Sequence, residues 1–244
     1  MKKYFLITAA LCIAFTLNAQ DNYYYQKLGL GFDLSSVRGY TNINTQYDHA
    51  AFDISLLYNY SPYIPIAVEF QAGRLSGGGP ELYQDPYGRS YTNNYKALIF
   101  HADIAAGEAL GYTDSDFLNF IRNFYVGTGF GFLYDDNKVQ RTNIIPANGP
   151  LTYVFPGKNT SVNLDVPLRF GYEFKLFDAF GEPKMAIVIG YIHSFVYGEG
   201  LDGYNDPSPH FKNNSTDQYR QIMIGYRYFF GSSAFYHSYR TKFY

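Results

Sequence analysis

From residue 28 onward, apolar and polar side chains alternate with a period of two in eight separate stretches. This is the pattern of strands whose two faces meet different surroundings. Leu28, Leu30, Phe32 and Leu34 alternate with Gly29, Gly31 and Asp33. Phe52, Ile54, Leu56 and Tyr58 alternate with Asp53, Ser55 and Leu57, and Ile66, Val68 and Phe70 with Ala67, Glu69 and Gln71. Leu98, Phe100, Ala102 and Ile104 alternate with Ile99, His101 and Asp103. Val126, Thr128, Phe130 and Phe132 alternate with three glycines. The cleanest run is Val162 to Tyr172, in which Leu164, Val166, Leu168 and Phe170 are interleaved with Asp165, Pro167 and Arg169. Ile187, Ile189 and Tyr191 follow, in a phase left open because Val188 and Ile192 are also apolar. Ile222, Ile224, Tyr226, Tyr228 and Phe230 close the series against Met223, Gly225, Arg227 and Phe229.

The links between these segments alternate in length. Residues 35–49, 75–94, 135–160 and 197–217 read as long polar links. Between them lie a tight turn at Ser61-Pro62-Tyr63, a link over 107–122 and a short one from Asp178 to Lys184. The pattern predicts an all-β fold: an eight-stranded antiparallel up-and-down transmembrane β-barrel with short periplasmic turns and long outer loops. Tyr and Phe crowd the strand ends, where amphipathic rings suit a membrane interface. A soluble barrel of lipocalin type is the alternative. Its outward face would be strongly charged, and neither face here has that character.

On this phase the lipid-facing residues are Leu28, Leu30, Phe32, Phe52, Ile54, Leu56, Val126, Phe130, Phe132, Leu164, Val166, Leu168, Phe170, Ile222, Ile224 and Tyr226. The opposite face projects Asp33, Asp53, Glu69, Gln71, His101, Asp103, Asp165, Arg169, Glu173 and Arg227 inward as a polar network. Arg169 and Arg227 can each fork onto a carboxylate. The glycines at 29, 31, 127, 129, 131, 171 and 225 leave room for these long side chains.

Composition fits a membrane surface. Only 16% of the 244 residues are charged while 20% are aromatic, with 27 Tyr, 22 Phe and no Trp. A formal net charge of −2 gives no basic surface for nucleic acid. Residues 1–19 read as a cleaved signal peptide: Lys2 and Lys3, an apolar run from Tyr4 to Thr16, and Leu17-Asn18-Ala19 before Gln20. Cleavage removes Cys12, the only cysteine, and with it all thiol and disulfide chemistry. The barrel then spans 20–230, with a tail at 231–244.

The signal ending Asn18-Ala19-Gln20, the strand Gly127-Thr128-Gly129-Phe130-Gly131 and Leu201-Asp202-Gly203 before the closing strand resemble the small OmpA-like outer-membrane barrels of Bacteroidota. The last strand resembles the aromatic signal read by the barrel assembly machinery, with Gly225, Tyr226, Tyr228 and Phe230 as its residues and 14 residues following. The resemblance implies export to the outer membrane of a Gram-negative bacterium, with outer-membrane lipid and the assembly machinery as partners. It leaves the role open.

Candidate chemistry is sparse. Lipid A deacylase barrels need a cooperating His and Ser; here His193 and Ser194 are adjacent and point to opposite faces of a strand. The five histidines, at 49, 101, 193, 210 and 237, lack metal spacing. Gly77-Gly78-Gly79 lacks the strand-to-helix setting of a phosphate loop. Asn159-Thr160-Ser161 and Asn214-Ser215-Thr216 match a glycosylation sequon and read as loop chemistry. Residues 114–124 predict a short amphipathic helix capped by Ser115, with Phe117, Phe120, Ile121 and Phe124 on one face. No catalytic residue, cofactor or metal is expected. The expected roles are a structural, small-pore or loop-mediated binding barrel, an accessory barrel of a secretion or nutrient-uptake complex, or, least, a lipid A-modifying enzyme.

Overall fold

The computed structural model describes residues 24–109, 116–142, 153–205 and 216–236. The signal segment, Ser115, His210, His237, Asn214 and Ser215 of the second sequon and the end of the tail lie outside the described residues. Eight long strands form the wall: β1 (Tyr24–Tyr40), β3 (His49–Ser61), β4 (Ile64–Gly78), β5 (Ser90–Ala105), β6 (Phe124–Gln140), β7 (Thr160–Phe177), β8 (Pro183–Tyr197) and β9 (Gln218–Phe235). A two-residue strand, β2 (Gln46–Tyr47), adds to the edge of β4, and two short helices, α1 (Ala106–Ala109) and α2 (Asp116–Ile121), fill the link between β5 and β6. Every long strand runs antiparallel to its predecessor, and β1 pairs with β9 from Tyr24↔Phe235 to Tyr40↔Gln218. The sheet therefore closes on itself and leaves no free edge.

The polar–apolar alternation becomes an inside–outside alternation. Leu30, Phe32, Ile54, Leu56, Phe130, Phe132, Leu168, Phe170, Ile222 and Ile224 all stand exposed on the outer surface, with Val166 half-buried among them. An aqueous surface would not carry so continuous an apolar belt. It is the lipid-facing wall of a transmembrane barrel, and no helix among the described residues is long and apolar enough to cross a membrane instead. The undecided phase in β8 resolves with Ile187 and Ile189 outward and Val188 and Ile192 fully buried. Those two join Tyr63, Ala105, Tyr125 and Met223 in an apolar cluster inside the barrel.

The strands are longer than their alternation predicts, so the links shrink to residues 41–48, 79–89, 141–159 and 198–217. Toward this loop end the pattern inverts. Outward positions become polar or charged, as at Arg38, Arg74, Lys96 and Arg220, while inward ones become apolar, as at Val37, Leu75, Leu133 and Val196. β9 also runs past Phe230 to Phe235, taking in the start of the expected tail. The β1–β9 register slips between Gln26 and Leu28, opposite Gly231. Gly231 has φ +97°, a conformation that glycine adopts without strain. The helix expected over 114–124 is α2 alone, because Phe124 already belongs to β6. Phe120 of α2 stacks on Tyr172 at 5.2 Å and meets Phe124 edge-on at 5.6 Å, which continues the aromatic belt around the turn end.

Candidate functional site: a layered lumen under an ordered cap

All ten residues of the expected polar network point inward and are buried. Their space comes from opposing glycines. A Cβ on Gly225 would collide with the carboxylate of Asp33, and one on Gly127 with that of Asp103. The centre of the cluster is Arg169, which is fully buried. Its Nη1 donates to Glu69 Oε1 at 3.2 Å and its Nη2 to Glu69 Oε2 at 3.1 Å, the forked geometry that suits a guanidinium. Its Nε lies 3.3 Å from Asp103 Oδ1. His101 spans the same two acids, with Nε2 3.3 Å from Glu69 and Nδ1 3.4 Å from Asp103. Gln71 Nε2 donates to Glu69 Oε1 at 2.6 Å.

Arg227 departs from the expected fork. It sits between two acids, 3.8 Å from Asp103 Oδ2 and 3.7 Å from Glu173 Oε1, with its guanidinium 5.9 Å from the Tyr125 ring centre. Both of these acids are shared, Asp103 with Arg169 and His101, and Glu173 with Lys175. On the β1–β3 side, Asp33 and Asp53 are direct cross-strand partners. Neither carboxylate oxygen of Asp53 meets a hydrogen-bond donor among the described residues.

Two further layers were not legible from alternation. Toward the turns, buried Lys175 donates to the carbonyl of Pro62, lies 3.9 Å from Glu173 and stands 4.8 Å over the Tyr63 ring. Toward the loops, Gln221 donates to Gln71 (3.1 Å) and Tyr95 (3.3 Å), and Tyr219 donates to Asp165 Oδ2 at 2.5 Å. Above these lies an apolar plug of Val37, Leu75, Tyr91, Leu133, Phe155, Val196, Leu201 and Tyr204, packed with the rings of Tyr95 and Tyr219. Side chains thus fill the lumen in successive layers, as the width of an eight-stranded barrel dictates.

The loops close over the plug. Arg89 is held by Asp85 (Nη2–Oδ2 2.8 Å), and its guanidinium centre lies 5.4–5.8 Å from the rings of Tyr87, Phe155 and Tyr204. Asn93 donates to the carbonyl of Leu201 at 2.9 Å and Asn137 to that of Gly200 at 2.7 Å, which ties the β8–β9 loop to β5 and β6. The Leu201 amide donates to Asp217 Oδ2 at 3.0 Å. Burial, and then the nearby charge of Asp202, hold the Asp217 carboxyl well above the usual carboxylate range. The folded cap therefore binds this proton more tightly than the unfolded chain does. Its contribution to stability is complete below the ordinary carboxylate pKa and is lost as pH rises through the raised value. Amide protection of Leu201 to Asn205, corrected for intrinsic exchange, should be stronger at pH 5 than at pH 8. Asp217→Asn should shrink that difference; a difference unchanged by the substitution would rule out Asp217 as its source.

His193 and Ser194 diverge. His193 lies on the outer wall between Tyr191 Oη (3.2 Å) and Gln218 Oε1 (2.8 Å), whereas Ser194 is 1% exposed inside the barrel. Gly77 and Gly78 end β4 and Gly79 opens the link that follows, with Gly78 and Gly79 at φ +77° and +157°. Among the described residues no group of three or more His, Cys, Asp and Glu could hold a metal ion.

No protein-family model matches the chain, and no curated protein sequence does. Among solved structures, the chain is similar to Neisserial surface protein A (11% identity over 86% of this chain and 100% of that one, TM-score 0.44). It is similar to Ail, the attachment invasion locus protein of Yersinia pestis, solved with a heparin analogue (11%, 83% and 97%, 0.43). Outer membrane protein OprG from Pseudomonas aeruginosa also aligns (11%, 87% and 100%, 0.35).

Proposed function

We propose that the chain is an integral outer-membrane barrel that works through its loop end and carries out no chemistry of its own. It is a small OmpA-like protein of Bacteroidota type, exported by its leader and inserted through the closing strand, where Tyr226, Tyr228 and Phe230 face lipid. The observation that carries this reading is the filled lumen under a tied cap. A barrel built to pass solutes would leave a water path, and a barrel enzyme would keep its nucleophile and base on one surface. Here His193 and Ser194 lie on opposite faces, and the interior is given to ion pairs and packed rings. What faces outward from the cap is the binding surface.

The test is fractionation followed by protease on intact cells. The protein should partition with outer membrane and be nicked within residues 141–159 or 198–217 before any strand or the turn at Ser61-Pro62 is cut. Cleavage confined to residues 61–63 would overturn the orientation, and partition into another fraction would overturn the location. A second reading, an accessory barrel in an uptake or secretion assembly, is favoured by Leu82 and Tyr83, 58% and 77% exposed on the β4–β5 loop. Under that reading, gentle detergent extraction should recover a stoichiometric partner that Tyr83→Ser releases.

A further inference from the structure

The inversion of polarity at the loop end is uneven around the barrel. On β9, β4 and β5 the outward position directly above the apolar belt is a cation: Arg220 above Ile222, Arg74 above Ala72 and Phe70, and Lys96 above Leu98; on β1 it is Arg38, with Ser36 between it and Leu34. β3 lies between β1 and β4, and Asp48 directly precedes it. Following the staggered registers around the wall, the same level on β6, β7 and β8 carries Phe132 and Tyr134, Leu164, and Phe195. One half of the rim is therefore cationic where the other half is still apolar. Snorkelling of scattered basic side chains would give no such division.

Within the arc the charges are not self-neutralised. Arg38 and Arg220 are direct cross-strand partners, an arrangement that repels. Asp48 lies between them, 3.4 Å from Arg38 Nη1 and 3.3 Å from Arg220 Nη2, and offsets one of the two charges. Arg74 is exposed, and its Nε donates to neutral Asn94 at 3.2 Å. Lys96 is exposed on the neighbouring strand. Three guanidinium groups and an ammonium answer one carboxylate, at the height where the lipid-facing belt ends and headgroups begin. Guanidinium forks match phosphate oxygens, and a cation at a membrane surface gains from lipid-borne negative charge.

We propose that this arc is a binding site for the phosphoryl groups of the glycolipid in the loop-side leaflet, with the acyl chains lying on the apolar wall of β1, β3 and β4 below it. The identity of that leaflet rests on the outer-membrane reading; the phosphate chemistry does not. The occupant is continuous with the lipid already required by Phe52, Ile54, Val68 and Phe70 beneath the arc, each exposed on the same strands.

The experiment reconstitutes the full-length barrel in phosphatidylcholine vesicles doped with diphosphorylated lipid A or with the same lipid dephosphorylated. Glycolipid retained per protein after gentle detergent extraction is then counted by mass spectrometry. Wild type should retain the phosphorylated lipid about tenfold better, the order expected when several interfacial cations each contribute. Arg38→Gln/Arg74→Gln/Lys96→Gln should lose most of that preference while folding normally by heat-modifiable mobility. Lys138→Gln, exposed on β6 outside the arc, should keep it. Equal retention of the two lipids by wild type, or undiminished preference in the triple variant, would overturn the site. Displacement by millimolar inorganic phosphate would show a free-anion site and overturn the lipid assignment. A barrel that fractionates with another membrane yet keeps the preference leaves the arc intact and removes only the assignment to the outer leaflet.

Discussion

Arg169→Ala should cost the barrel about 3–5 kcal/mol, the range measured when one partner of a buried ion pair is removed. Glu69, His101 and Asp103 all converge on this guanidinium, and none can reach bulk water from its place in the lumen. Without it, Glu69 loses its guanidinium partner, and of its own guanidinium partners Asp103 keeps only Arg227, at 3.8 Å. Urea titration of folding into vesicles would measure the loss. Adding Glu69→Gln should recover part of it, because one of the stranded charges is then gone. A purely steric role for Arg169 would leave the double variant no better than the single one.

The same substitution bears on conduction. Wild type should be nearly silent in a planar bilayer, since charged, amide and aromatic layers all lie in series along the axis. Arg169→Ala removes one layer and should give brief openings. Steady current should appear only when Tyr95→Ala and Tyr219→Ala are added, because those rings fill the lumen between Gln221 and the apolar plug. Large, steady currents from the unmodified barrel, unchanged by these substitutions, would sink the sealed-lumen reading.

The parts of this structure that the sequence discloses are those where alternation sets charge against hydrocarbon. Asp165 and Arg169 between Leu164, Val166, Leu168 and Phe170 leave one phase open to a strand in lipid, and the closed barrel follows from eight such strands. The loop-side plug was hidden for the opposite reason. Where a strand leaves the bilayer its outer face meets water and its inner face meets packed rings, so Leu75 against Arg74, or Tyr95 against Lys96, reads with inverted phase and looks like loop. Lys175 was hidden by its neighbours, because a lysine between Phe174 and Leu176 near a turn gives no sign of pointing inward. The arc of Arg38, Arg74, Lys96 and Arg220 is invisible in one dimension. Its members lie far apart along the chain, and only the register of the closed sheet brings them to one height.

Leu168→Arg tests the other face of the wall. Leu168 is 38% exposed on β7, above Phe170 and below Leu164 on the lipid side, opposite Thr128 of β6 and His193 of β8. A cation there must sit in hydrocarbon or drag headgroups and water toward it. Near the middle of a bilayer this costs about 2–4 kcal/mol in transmembrane barrels. No acid on the outer wall offsets the charge: the nearest outward groups on β7 are Val166 and Phe170, and the carboxylates of this region all point inward. Folding yield into vesicles should fall and the urea midpoint should drop, whereas Leu168→Phe, which keeps the surface apolar, should match wild type. The effect should also depend on depth. Thr160→Arg, at the loop-side end of the same face and past the last apolar residue Val162, should cost under about 1 kcal/mol. Equal losses at 160 and 168 would mean that β7 is not graded by a bilayer, and that its apolar stripe packs against protein rather than lipid.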